Sequence, residues 1–173
     1  TEVRSGIVGA TTTAAELGRA FPDVPVVDSS GNHVRERVDS TPRLIVATPR
    51  AEPAPESGYA CAVILDAVSS LSRPGLAAVE QTVDRWMAIL ALVRSVRDGG
   101  RAVIVGPSED AALQAMVRND PVGWATRELA DRREARFPPA VPCGIVDGDP
   151  KAVASAAQRL REWFGTDLEM LGP

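Results

Sequence analysis

Short apolar runs rich in β-branched residues recur along the chain, and each is followed by a turn or by a stretch with helical periodicity. RLIVAT (43–48), YACAVILD (59–66) and RAVIVG (101–106) are the clearest, with shorter runs at VRSGIVG (3–9) and VPVVD (24–28). Runs of this length and content suit parallel strands, whose crossover helices cover both sheet faces. The alternation up to Gly106 predicts a doubly wound α/β domain around a parallel sheet. With 173 residues the chain is long enough for a real core, since one of ~150 residues buries roughly two-thirds of its unfolded surface.

Between these runs the helical segments carry recognisable starts and stops. TTTAAELGRAF (11–21) can be capped by Thr11 or Thr12, with Glu16 in the capping turn, and is stopped by Pro22. DSSGNHVRERVDSTP (28–42) is a polar connection with room for a small hairpin. PRAEPAPESG (49–58) holds Pro49, Pro53 and Pro55 and must be extended, because proline lacks the N–H a helix needs. Pro74 opens a long helix running to about Arg97, with Leu76, Val79, Val83, Trp86, Leu90 and Val93 in one stripe. Its second half, WMAILALV (86–93), is apolar all round and expects burial on several sides. EDAALQAMVRND (109–120) is a short helix stopped at Pro121, and VGWATRELADRREAR (122–136) another that ends before FPP. PAVPCGIVDGD (139–149) reads as a strand, and PKAVASAAQRLREWFG (150–165) as a helix with Val153, Ala156, Ala157, Leu160, Trp163 and Phe164 on one face. TDLEMLGP (166–173) opens a strand that expects a continuation, and FPP marks the start of a second unit.

Composition removes several chemistries. No apolar run approaches the ~18 residues of a membrane helix, and the N-terminus lacks the basic start and long apolar stretch of a secretory signal. A cytoplasmic protein without a membrane partner is expected. Cys61 and Cys143 each lie in an apolar stretch and read as buried, reduced core residues. With His33 the only histidine, no His/Cys zinc site can be assembled, and no metal is expected in this chain. His33 lies in a polar stretch beside Gly31 and Asn32, a poor setting for a Ser-His-Asp triad.

Lysine is the most informative count. Lys151 is the only one, and it follows DGDP rather than a glycine-rich turn. A Walker A loop needs backbone amides around the phosphates and a lysine reaching the β- and γ-oxygens, so this chain cannot bind a nucleoside triphosphate alone in that way. No cofactor is expected. GPSED (106–110) is too weak a pattern to replace such a loop. The net charge of −4 offers no global attraction for nucleic acid, so any DNA contact must be local. In open parallel sheets the carboxyl ends of strands face the ligand crevice, which places Thr48 and Asp66 on the functional edge. A carboxylate that merely caps the following turn is an equal reading of Asp66.

The order of ELGRAFPDVPV, LIVATP, VILDA, SRPGLAAVEQTVDRW, GGRAVIVG, RELADRREARFPPAV and LGP resembles the second RecA-like helicase lobe of the PriA family of primosomal replication-restart helicases, and the start of their C-terminal domain. The resemblance covers essentially the whole chain. RELADRREARFPPAV, similar to the helix and Pro-Pro junction of that domain, is its least ambiguous stretch. It implies a RecA-like (P-loop-type) lobe over 1–135 and a partial α+β domain over 136–173. By resemblance the partners are DNA, at forks or single-strand junctions, the first helicase lobe of the same parent chain, and primosome or single-strand-binding proteins. A nucleoid-associated location follows. In that family zinc-binding cysteines lie upstream of the point where this chain starts.

The family's nucleotide-coupling motifs are degenerate here. The Gly-Thr strand end of motif V reads Ala47 and Thr48, and its Lys-Gly loop reads PRAEPAPESG. The Asp-x-Asp after the next strand reads Asp66, Ala67, Val68, and the Pro-Asp-Phe-Arg element reads Pro74 to Ala77. Counting back without gaps from GGRAVIVG places Ala88 at the motif VI glutamine, Leu92 at its first arginine and Ser95 at its second. Those arginines stabilise charge on the γ-phosphate, and such a finger is worth ~10³-fold or more in rate. Arg94 and Arg97 are close, but on a helix one position turns a side chain by ~100°.

The resemblance therefore implies a structural and DNA-docking module without ATPase activity, whose lobes are permanently closed or whose WMAILALV face another domain covers. The candidate DNA contacts are Thr48, Arg50, Arg73, Arg127, Arg132, Arg133 and Arg136. A solvated helix face is the plainer reading of the last four, because Glu128, Asp131 and Glu134 are interleaved with them. Two other classes stay open. One is a free-standing α/β enzyme using the strand ends at Thr48, Asp66 and Gly106; the other is an interaction scaffold using the Trp86 to Val93 face.

Overall fold

The computed structural model describes residues 9–65 and 67–172. Residues 3–8 of the first predicted strand, and Asp66, lie outside the described residues. The first elements are α1 (Ala10–Ala20), β1 (Val26–Ser29), β2 (Arg37–Val38), β3 (Leu44–Ala47), β4 (Ala54–Pro55) and β5 (Cys61–Ile64). Then follow α2 (Ala67–Leu71), α3 (Ala78–Ala91), β6 (Arg101–Ile104), α4 (Ala111–Arg118), α5 (Pro121–Glu134) and α6 (Pro150–Phe164). Residues up to Thr126 form one compact unit and those from Arg127 a second, a division that falls within α5. The division set by resemblance lies further on, at 135/136.

Among the described residues every strand pairing is parallel, as expected for the β-branched runs. β1 lies beside β3 with Val26 opposite Leu44, and β5 beside β6 with Cys61 opposite Arg101. The class is mixed α/β. Among the described residues, however, the ladders are three separate pairs rather than one continuous sheet. The polar 28–42 connection forms no hairpin. It sends β2 alongside β4 in parallel, with Ala54 N–H donating to the Glu36 carbonyl at 2.8 Å. The proline loop thus spends its Ala54 and Glu56 amides on this pairing.

The core of the first unit lies where α3, α4 and the start of α5 meet. Val83, Trp86, Leu113, Met116 and Trp124 are buried there with Ala67, and Ile64 and Ile104 reach it from β5 and β6. Among the described residues only that face of the β5–β6 pair is covered. Val63, Leu65, Val103 and Val105 point the other way and are about half exposed. Cys61 belongs to this outer set and is exposed, as is Cys143 on an irregular stretch, so neither is the buried core residue expected. The continuous apolar run concealed a period of two.

Local chemistry sets the helix ends. α1 starts after Gly9 without a side-chain cap, because the Thr11 hydroxyl donates instead to Asp28 Oδ2 at 2.8 Å. α3 begins at Ala78, not Pro74: Gly75 has a left-handed φ of 124°, which a helix does not allow. It ends at Ala91 rather than Arg97, because Val93 is drawn into a parallel bridge with Tyr59. The Asp110 carboxylate caps α4 through the Ala112 and Leu113 amides, and Asn119 closes it in the left-handed conformation common at helix C-termini. Asp120 then accepts from the Gly123 amide at 2.8 Å, opening α5 with Pro121 in its first turn.

In the second unit the predicted strand at 139–149 does not form. Pro139 and Pro142 have no N–H to donate, and Ile145 is 90% exposed. A single extended segment gains nothing without a partner ladder, and none lies beside it among the described residues. The strand predicted at 166–173 is likewise replaced by a short 3-10 turn, Gly165–Asp167, and unpaired chain. α6 forms as expected, with Asp149 capping it and Pro150 in its first turn. None of its residues is buried, and Trp163 and Phe164 are exposed.

Candidate functional site

The loop after β3 is the best-defined feature among the sequence candidates. Ala51 N–H donates to the Thr48 carbonyl at 2.9 Å, so Pro49 and Arg50 are the central pair of a turn. Arg50 has φ 72°, the positive value that a type II turn imposes on its third residue and that glycine usually supplies. Its side chain is exposed, while Thr48 is half-buried at the strand end.

Behind that turn Ser29 is fully buried. Its hydroxyl donates to the Ala51 carbonyl at 2.6 Å and accepts from the Arg35 amide at 3.0 Å, tying β1, the 30–35 segment and the loop together. Ser29→Ala leaves the buried Ala51 carbonyl without this donor and frees the Arg35 amide, a cost of about 1–3 kcal/mol. Urea denaturation should show that loss. A variant as stable as the parent would mean that water replaces the hydroxyl.

Further along, Pro53 is buried, and its carbonyl accepts the Tyr59 hydroxyl. Burial, with the Glu52 charge beside it, pushes the Tyr59 hydroxyl above its usual pKa, which keeps it protonated and donating. On the other side of β1, Asp28 accepts from the Ser30 hydroxyl at 2.6 Å and from Thr11. Those bonds, Ser30 first, hold its carboxyl below the ordinary range.

The positions aligned with motif VI are occupied by local structure. Ala88 is exposed on α3. The Leu92 carbonyl accepts from the Tyr59 amide at 2.8 Å. The Ser95 hydroxyl donates to Asp98 Oδ2 at 2.6 Å and closes a 3-10 turn, Val96–Asp98. Because α3 has ended, the helical reckoning of where Arg94 and Arg97 point does not apply. Arg94 folds back: its Nε donates to the Ser57 and Gly58 carbonyls at 3.2 and 3.0 Å. WMAILALV is core. Trp86 is 2% exposed, and Met87, Ile89 and Leu90 pack against the same cluster. Trp86 itself is therefore not available to a partner.

The candidate arginines differ in freedom. Arg50 and Arg73 belong to the first unit and are exposed. Arg127, Arg132, Arg133 and Arg136 belong to the second. Arg132 is a structural residue, its side chain 11% exposed, with Nε on Glu128 and Nη1 on the Pro138 carbonyl, both at 2.8 Å. Arg136 adopts φ 56° at the end of α5 and pairs with Glu169 at 3.4 Å. Arg127 and Arg133 are exposed. The charge pairing expected of a mixed helix face is thus present at Arg132. His33 and Lys151 are exposed, and among the described residues no three His, Cys, Asp or Glu side chains gather as a metal would need. No helix among them is long and apolar enough to cross a membrane.

Ser29 and Arg94 were not legible as site residues. Ser29 only ends an apolar run, and nothing in its spacing announces a buried hydroxyl. For Arg94 the helical periodicity of 86–93 points the side chain elsewhere, and only the end of α3 at Ala91 turns it onto the loop.

Against known proteins the resemblance holds. The chain is 42% identical over 171 residues, 99% of its length, to the probable replication restart protein PriA of Mycobacterium leprae. It is 42% identical over 173 residues to the protein of the same name from Mycobacterium tuberculosis. The chain spans about a quarter, 26%, of the length of these relatives. No family model matches, and no solved structure matches.

Proposed function

We propose that the chain is the DNA-docking and structural part of a PriA-type replication restart protein: a RecA-like second helicase lobe over 1–135 and the start of a C-terminal domain over 136–173, without ATPase activity of its own. The similarity to mycobacterial PriA along 99% of the chain carries the reading. The second support is local: at the arginine-finger positions the Leu92 carbonyl accepts from the Tyr59 amide and the Ser95 hydroxyl caps the Val96–Asp98 turn through Asp98. Forked or single-strand junction DNA is the ligand. The first helicase lobe of the parent and primosome or single-strand-binding proteins are the partners, in the cytoplasm at the nucleoid. Any zinc belongs to the parent upstream.

Arg50 and Arg133 are the exposed arginines best placed to touch phosphate. Removing one phosphate contact lowers the slope of log affinity against log salt by ~0.9 and weakens binding alike for all sequences. Titration of labelled forked DNA with Arg50→Ala and Arg133→Ala should show that change in at least one variant. Unchanged affinity and slope in both would mean that these faces are only solvated.

A further inference from the structure

We infer that Arg94 is a positioning residue that locks the 48–58 loop into one shape, so that the loop where the family couples DNA to nucleotide is here held rigid without nucleotide. That this loop faces DNA rests on the function proposed above; the lock itself rests on contacts within the first unit.

The far end of the loop is fastened to the chain that follows α3. Tyr59 donates its amide to the Leu92 carbonyl at 2.8 Å and accepts from the Arg94 amide at 2.9 Å. The Arg94 side chain then turns over the loop end. Its Nε is shared between the Ser57 and Gly58 carbonyls, and its Nη2 reaches the Ser57 hydroxyl at 3.4 Å. Gly58 makes this possible. Its φ is 79°, and a Cβ there would stand 2.9 Å from Arg94 Cγ, so only glycine lets the arginine stem lie against the backbone. The near end is fastened separately by Ser29 on Ala51, and the middle by Tyr59 on Pro53.

A guanidinium spent on two carbonyls and a hydroxyl cannot swing to an anion without giving those bonds up. In a switching lobe the arginine and the loop respond to a γ-phosphate. Here the arginine beside the lost finger positions joins the loop to its neighbour permanently. Thr48 and Arg50 are then presented in one geometry.

The test is hydrogen exchange of the DNA-free chain with Arg94→Ala and Arg94→Lys, alongside forked-DNA titration. Both variants should speed exchange of the amides between Ala51 and Tyr59 about tenfold or more while α3 and α4 stay protected. Lysine should not rescue, because it keeps the charge but has no donor at the Nε position that serves both carbonyls, nor a second nitrogen for the Ser57 hydroxyl. DNA binding should weaken several-fold with an unchanged salt slope, since no phosphate contact is removed. Loop exchange as slow as in the parent in both variants would overturn the inference. So would full rescue by lysine, or a salt slope lowered by about one, which would make Arg94 itself a phosphate contact. If the parent chain binds no DNA while loop exchange changes as stated, the lock stands and the DNA reading falls.

Discussion

Trp86→Ala should destabilise the first unit by about 3–5 kcal/mol, the range for truncating a buried tryptophan. Trp86 is 2% exposed at the centre of the cluster formed with Val83, Leu113, Met116 and Trp124. Truncation loses the transfer energy of the ring and leaves a cavity that helices on several sides cannot close together. Total stabilities of domains are about 5–15 kcal/mol, so this one change removes a large share. Urea denaturation followed by circular dichroism gives the measurement. A loss below about 1 kcal/mol would place Trp86 on a surface and favour the scaffold reading.

Gly100→Ala should be about as damaging, for a different reason. A Cβ at Gly100 would stand 1.9 Å from the Arg94 carbonyl oxygen and 2.6 Å from its carbon, and backbone cannot step aside as a side-chain tip can. The Gly100 amide also donates to the Ser95 carbonyl at 2.9 Å, so the turn that ends in β6 must open. Overpacking typically costs 1–3 kcal/mol, and a backbone clash this close lies at about 3 kcal/mol or beyond. Gly99 is the internal control. It has open space around it, and only its left-handed φ of 78° resists alanine, a penalty of about 1 kcal/mol. Equal thermal shifts for the two variants would refute the crowding argument.

What was legible in the sequence was the order of elements, because apolar runs and helix punctuation are local signals. β1, β3, β5, β6, α1, α4, α5 and α6 all lie where those signals put them. What was not legible depends on partners remote in sequence. α3 stops at Ala91 because Tyr59 competes for the next backbone, and no propensity at 92–97 reports that. The stretch at 139–149 has strand composition without a ladder to join. Cys61 looked buried because a one-dimensional run cannot tell a strand covered on both faces from one covered on a single face. The fastening of the loop by Ser29 and Arg94 needed the fold.

The central claim is a lobe that touches DNA without answering to nucleotide. Binding of the chain to fluorescently labelled forked DNA, titrated over salt with and without ATP and magnesium, tests it most directly. The expected result is binding that weakens steeply with salt, and is the same with or without ATP. An affinity that shifts when ATP is added, or no binding even at low salt, would contradict the account.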